Sequence, residues 1–263
     1  MSSPLTQLTL SALPGIPLIK PGDDLATLIL EALTRAEIAL QTGDVLVLAQ
    51  KIVSKAEGRQ VHLSTVTPSA QAVELAEAAR KDSRQVQVVL SESKEVIRHR
   101  PGVIVVEHRL GYVCANAGVD HSNVEPPPGG EPDDGWLLVL PKDPDRSAAE
   151  LRMRFQKASG IRDLGVIIND SHGRAWRTGS VGVALGAAGF PGLLDLRGAP
   201  DLFNHPLEVT TVGLADELAA AASLLMGQAG EGRPVIHVRG VPYSLREGNA
   251  RELIRPREMD LFR

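Results

Sequence analysis

Two short apolar runs, each stopping at a cluster of side-chain oxygens, constrain this chain more than any other feature. In residues 112–123, YVCANAGVDHSN, an apolar segment passes through Ala-Asn-Ala-Gly to Asp120, Ser122 and Asn123. In residues 165–177, GVIINDSHGRAWR, Val166, Ile167 and Ile168 lead to Asn169, Asp170 and Ser171, with Gly173, Arg174 and Arg177 behind them. Apolar runs of this length read as strands, and a strand that ends on carboxylate, hydroxyl and amide groups delivers hard oxygen donors into a turn. The pair predicts one metal-phosphate site with a carboxylate at the mouth of each strand. A third run, 45–49, is apolar at every position and therefore needs cover on both faces of its sheet. It leads into Gln50, Lys51, Ser54 and Lys55. Lysines after a buried strand are usually just solvated, but two of them with a serine also suit phosphate oxygens.

The chain of 263 residues, 43% apolar, is long enough to bury a full core as one domain, 1–263, or as two subdomains whose boundary the sequence does not mark. Its formal charge of -4, from 28 basic and 32 acidic residues spread along the whole length, leaves no electrostatic footprint for nucleic acid or an anionic membrane. Aromatic residues make up only 3%, which argues against base-stacking platforms. Small molecules are the expected partners. The single cysteine, Cys114, provides neither a disulfide framework nor a Cys-based zinc site. No apolar run nears the roughly 18 residues that span a bilayer, and the first ten residues lack a signal-peptide pattern. A reducing cytoplasm is the expected location.

Residues 5–12 alternate like an edge strand, and the Pro- and Gly-containing turn 13–19 follows. Asp23 or Asp24 is placed to cap a helix of about 18 residues whose buried face carries Leu25, Leu28, Ile29, Ala32 and Leu33. A helix through Ala79, a second amphipathic piece over 86–93, and a strand pair around His108 and Arg109 come next. The stretch 126–135, PPPGGEPDDG, has too little apolar content to pack and reads as structureless. After a strand at 136–140, Ser147 and Glu150 have the spacing of a capping box for a helix ending near Ala158. The small-residue run 179–189, GSVGVALGAAG, does not match a dinucleotide fingerprint and is read as close backbone packing. A strand at 208–212, a helix from Leu214 to Met226 stopped by Gly227, and a last strand at 235–238 complete the pattern. The polar tail from Glu252 onward is expected to pack on a neighbouring surface.

The candidate metal ligands are Asp120, Asp170, Ser171 and Gln228, all oxygen donors, which favours Mg²⁺ or Mn²⁺ over zinc. The seven histidines are dispersed, with no pair at the spacing of a helical metalloprotease motif. No Gly-x-Ser-x-Gly elbow occurs, and Cys114 falls in an expected strand, so a protein nucleophile is unsupported. What remains is a divalent metal holding polyphosphate, with Lys51, Lys55, Arg174 and Arg177 to neutralise charge. The classical P-loop is absent, and this pattern leaves kinase, ligase and phosphohydrolase open.

The chain resembles the coenzyme F420-0:γ-glutamyl ligases, a family also found as the N-terminal domain of a mycobacterial F420 biosynthesis protein. The strings that carry the likeness run in order: GIPLIKPGDDL (15–25), GDVLVLAQKIVSKAEGR (43–59), ANAGVDHSNV (115–124), LPKDPDRSA (140–148), INDSHGRAWRTGSVGVALG (168–186), ADELAAAASLLMGQAGEGRP (215–234) and ELIRPREMDLF (252–262). The resemblance implies a mixed α+β fold with largely antiparallel sheets and packed helices, paired as an intertwined homodimer. It implies GTP-dependent addition of L-glutamate to F420-0, and a further glutamate after that, through an acyl phosphate. Asp120, Asp170, Ser171 and Gln228 match the family's divalent-metal positions, for two Mn²⁺ or Mg²⁺ with K⁺ beside them. Ile16, Pro17, Leu18, Ile19, Gln50, Lys55, Asn123 and the loop Met226, Gly227, Gln228, Ala229, Gly230, Glu231, Gly232 and Arg233 match its GTP contacts. Asp120, Asp170 and Lys55 are the implied catalytic groups. His172 stands where the family usually has an aromatic, and Ala175 where it often has proline. A sister ligase acting on a pterin or folate, and a non-catalytic nucleotide-binding relative, are the alternative readings.

Overall fold

The computed structural model describes residues 6–130, 133 and 135–261. In chain order the elements are β1 (Thr9–Ala12), α1 (Leu25–Arg35), β2 (Val45–Ala49), α2 (Gln50–Ala56), β3 (Gln60–His62), α3 (Ala70–Ala79), α4 (Ser83–Ser91), β4 (Ser93–Arg100), β5 (Val103–His108), β6 (Val113–Ala115), β7 (Trp136–Leu138), α5 (Pro144–Ser159), β8 (Gly165–Arg174), β9 (Arg177–Ala188), β10 (Leu194–Asp195), β11 (Thr211–Val212), α6 (Leu214–Met226) and β12 (Val235–Arg239). The class is mixed α+β with largely antiparallel sheets, as expected.

The main sheet has the order β1-β12-β2-β8-β9, and β2 with β8 is its parallel pair. Strand residues alternate between the two faces, which explains why the central runs are apolar throughout. Leu46, Leu48, Val166 and Ile168 point to one layer with Ile29 of α1 and Phe155 of α5. Val45, Val47, Ile167 and Ile236 point to the other, against Leu218 and Ala222 of α6. Removing each such side chain from water is worth about 1.5–3 kcal/mol, so the helix-sheet-helix sandwich is held chiefly by these two faces. The excursion between β2 and β8 builds its own small core, where α3, α4 and β5 bury Ala76, Val86, Ile104 and Val106.

Several boundaries differ from the sequence reading for identifiable reasons. α1 spans 11 residues, not about 18. It ends where Glu37 takes φ 56° and the Ile38 N–H turns back to the Leu33 carbonyl at 3.0 Å. α5 starts three residues before Ser147, with Asp143 as its cap and Pro144 in its first turn, a position where the missing N–H costs nothing. The Ser147 hydroxyl instead donates to Glu57 Oε1 at 2.6 Å, tying α5 to the end of α2. Asp170 lies within a strand, not a loop: β8 continues through it and pairs with β9 as far as Arg174 and Arg177.

The small-residue run is β9 itself, and close packing is indeed its property. A Cβ on Gly182 would collide with Ser223 Oγ and the Ala219 carbonyl, and one on Gly186 with Pro144. Of the expected strand 208–212, only Thr211 and Val212 pair, with β10. Within the stretch 126–135, residues 131, 132 and 134 lie outside the described residues. Its described part is not featureless: Gly130 N–H donates to the Pro127 carbonyl at 2.8 Å, and Asp133 Oδ1 lies 2.8 Å from His62 Nε2. Residue 5 of the first strand and residues 262 and 263 of the tail also lie outside. The described tail packs on its own chain, where Arg257 reaches Glu95 at 2.9 Å.

Candidate active site

β2 and β8 run parallel and in register, Ala49 opposite Asn169, so both end at one edge of the sheet. Crevices outside the carboxyl ends of parallel strands are common ligand sites. From this edge α2 begins at Gln50, while β8 carries Asn169, Asp170 and Ser171 outward. The excursion returns Asp120 to the same place: the 3₁₀ turn Asn116–Gly118 reverses the chain through left-handed Asn116 and Ala117. Asp120 then forms a single bridge to Leu138, with N–H···O distances of 2.9 and 2.8 Å. α6 ends in the same crevice, and the loop after Met226 closes its far side.

The result is a cavity of about 540 Å³ whose wall combines all four parts. Gln50 Nε2 donates to Asp120 Oδ2 at 2.8 Å, and Ser54 Oγ donates to Gln50 Oε1 at 2.9 Å. Lys51 Nζ lies 3.3 Å from Asp120 Oδ1 and donates to the Ser122 carbonyl at 3.0 Å. Across the crevice, Ser171 Oγ donates to Gln228 Oε1 at 2.7 Å, so two of the expected metal positions touch. Asn123 Nδ2 donates to the Ala229 carbonyl at 3.2 Å, joining the Asp120 loop to the 226–233 loop. Glu231 does not line the cavity; its carboxylate accepts from the Ala229 N–H at 2.8 Å and so shapes that loop. Gly227 sits at φ 76°, and a Cβ there would strike the same carboxylate.

Burial raises the Asp120 carboxyl to about 6; Lys51 works against the rise and the Asp170 charge adds to it. Burial also lowers Lys55, whose charge Glu125 favours and Lys51 disfavours. Both shifts fit a site arranged to take further charges of both signs. Among the described residues no three His, Cys, Asp or Glu side chains form a metal cluster. The donor set is two carboxylates, a hydroxyl and an amide oxygen, which suits a hard cation that completes its shell with water and phosphate oxygens. A cation there would also relieve the two facing carboxylates, so the residues present fit Mg²⁺ or Mn²⁺ and not zinc.

Of the residues that the resemblance implies, all but Glu231 line this cavity. Arg174 and Arg177 do not; they sit at the turn of the β8–β9 hairpin, where Arg174 donates to the Gly179 carbonyl at 2.9 Å. Cys114 lines the cavity but burial raises its thiol to about 12, which keeps it protonated. Two lining groups stand outside the expected site residues, although Asn169 belongs to the oxygen cluster that ends the apolar run 166–168. Glu125 lines the wall beside Lys55, and Asn169 is held by Ser223 at 3.1 Å and lies under the crevice. Glu125 falls in no pattern that spacing alone would select.

Comparison with known proteins places this geometry in context. A family profile described as F420-0:gamma-glutamyl ligase matches residues 15–240. A coenzyme F420:L-glutamate ligase of Methanothermobacter thermautotrophicus is 48% identical over 258 residues, covering 97% of this chain and 99% of the relative. One of Methanopyrus kandleri is 49% identical over 249 residues, 93% of each chain. One of Archaeoglobus fulgidus is 44% identical over 249 residues, 95% of this chain and 94% of the relative.

Proposed function

Because this chain belongs to the F420-0:gamma-glutamyl ligase family, we propose that it joins L-glutamate to coenzyme F420-0 at the cost of GTP, and then adds a further glutamate. The observation that carries the reading is the convergence of Asp120, Asp170, Ser171, Gln228, Lys51 and Lys55 on one cavity, without an activated serine or thiol. A carboxylic acid becomes reactive toward an amine here only if phosphate activates it. A carboxylate oxygen of F420-0 attacks the γ-phosphorus of GTP, the bond to the β-phosphate breaks, and GDP leaves. The amine of glutamate then attacks the acyl carbon, phosphate departs with the bonding pair, and one amine proton is released.

The protein's own groups position and neutralise. Gln50 and Lys51 hold Asp120 in place, Lys55 offsets phosphate charge, and the loop 226–233 with residues 16–19 lines the nucleotide's side of the cavity. Asp120, Asp170, Ser171 and Gln228 are the residues to hold two Mn²⁺ or Mg²⁺ ions, which supply charge stabilisation for the transferring phosphoryl group, with K⁺ nearby. The reading includes residues 1–263 as one ligase domain working as a homodimer in the cytoplasm. No described helix is long and apolar enough to cross a membrane.

Purified protein incubated with F420-0, GTP, Mn²⁺ and L-glutamate is expected to yield products heavier by one and two glutamyl units, together with GDP and phosphate. Hydroxylamine in place of glutamate is expected to trap an F420-0 hydroxamate. Formation of GMP and pyrophosphate would overturn the acyl-phosphate route.

A further inference from the structure

Beside the main cavity lies an annex of about 190 Å³, walled by Ile19, Lys20, Lys55, Gln60, Glu125 and the prolines at 126–128. Ile19, Lys55 and Glu125 line both spaces, so the annex meets the main cavity at Lys55 and Glu125. Of its polar groups, Lys55 is shared with the metal-phosphate set and stands between the two spaces, whereas Lys20 and Gln60 belong to the annex alone. Gln60 sits on β3, where its backbone is committed to Leu138, yet its Oε1 is buried without a hydrogen-bond partner among the described residues. A buried carbonyl oxygen lacking a donor costs about 1–3 kcal/mol, a cost that a ligand N–H would remove.

We propose that this annex is the acceptor amino-acid site, with the Lys20 and Lys55 ammonium groups taking the two carboxylates of L-glutamate while Gln60 Oε1 and Glu125 face its α-amino group. The inference rests on the ligase reading and deepens it. Two cations, one anion and one neutral acceptor mirror a molecule with two carboxylates and one ammonium. The shared wall places the amine beside Glu125, at the opening toward the activated carboxyl group. A guanine base is the competing occupant, since its N–H edge also suits Glu125 and Gln60 Oε1 and its O6 suits lysine, and KM for GTP against KM for glutamate separates the two.

Steady-state kinetics on Gln60→Leu, Lys20→Met and Lys20→Arg test the assignment. Gln60→Leu and Lys20→Met are expected to raise KM for L-glutamate about tenfold, the loss of one hydrogen bond or ion pair to a charged ligand, with KM for GTP and kcat little changed. Lys20→Arg is expected to stay near the parent protein. A rise in KM for GTP instead, or an unchanged KM for glutamate in both Gln60→Leu and Lys20→Met, overturns the proposal. If the parent protein forms no amide, the ligase reading itself has failed. Saturation-transfer NMR of L-glutamate with Mg²⁺ and GDP then decides the annex: signal with the parent protein and loss in Gln60→Leu supports it, while no signal in the parent, or equal signal in both, overturns it.

Discussion

Asp120 carries two burdens that pull in opposite directions. It is buried near a second carboxylate, which raises it to about 6, yet Gln50 and Lys51 bind its charged form. Such an arrangement costs stability in the free protein, a cost that a bound cation would offset. Asp120→Asn and Asp170→Asn are therefore each expected to lower ligase turnover by roughly 10²–10³, the usual effect of losing one electrostatic contact to a transferring group. Thermal melting is expected to stay level or rise, because a buried like-charge repulsion has been removed. Near-normal turnover in either variant would make that carboxylate structural. The same donor set fixes the choice of metal: chelation is expected to abolish activity, Mn²⁺ or Mg²⁺ to restore it, and zinc to restore it poorly. Turnover with zinc equal to that with Mn²⁺ would refute the ligand assignment.

At the scale of elements, the hairpin of β8 and β9 decides whether the site can form, because it carries Asp170 while its small residues let α6 lie against it. A Cβ at Gly182 meets backbone as well as the Ser223 hydroxyl and Asn169, so it has no flexible neighbour to displace. Gly182→Ala is expected to destabilise by about 1–3 kcal/mol in urea unfolding, the cost of overpacking a tight contact. A variant as stable as the parent would show that α6 shifts freely. This hairpin also shows where sequence reasoning ran out. β2 was legible because every residue of VLVLA is apolar, and α6 because its acidic first turn and Gly227 mark both ends. β9 was not, since glycine and alanine carry no strand preference and the contacts that order it come from α5 and α6. α2 was equally hidden: its cap is Ala49, which offers no side-chain bond, and the helix follows the strand without a connecting residue. The site fared better than the elements around it. Asp120 and Asp170 stood out as oxygen clusters after apolar runs, whereas Gln60 is an ordinary strand residue until its unmet oxygen is seen in three dimensions.

For the whole molecule, one buried ion cluster locks the sheet. Asp44, at the start of β2, receives His237 Nε2 at 2.8 Å and the Arg239 guanidinium at 2.7 and 2.8 Å, both from β12. Burial alone would raise its carboxyl, but the bonds from Arg239 and His237 outweigh that and hold it at about 2. A carboxyl depressed on folding contributes stability that is complete above its unfolded value near 3.8 and is lost as pH falls toward 2. Roughly 2 kcal/mol is expected to disappear over that interval, and Asp44→Asn is expected to flatten this acid limb while lowering stability at neutral pH. Denaturant titrations from pH 2 to pH 5 check both. An identical acid limb in the variant would locate the sensitivity elsewhere.

The parallel pairing of β2 with β8 has one more consequence. Antiparallel neighbours can be joined by a tight turn, but these two strands are separated by the entire α3–β7 excursion, which must leave the sheet and come back before Asp120 can stand opposite Asp170. The excursion has a core of its own, apart from the two that cover the main sheet. A nucleotide and metal bound between these carboxylates would act as a rivet between the two bodies: amides of β6 and β7 should exchange with deuterium more slowly when the site is filled, while those of β10 and β11, none of whose residues line the cavity, keep their pace.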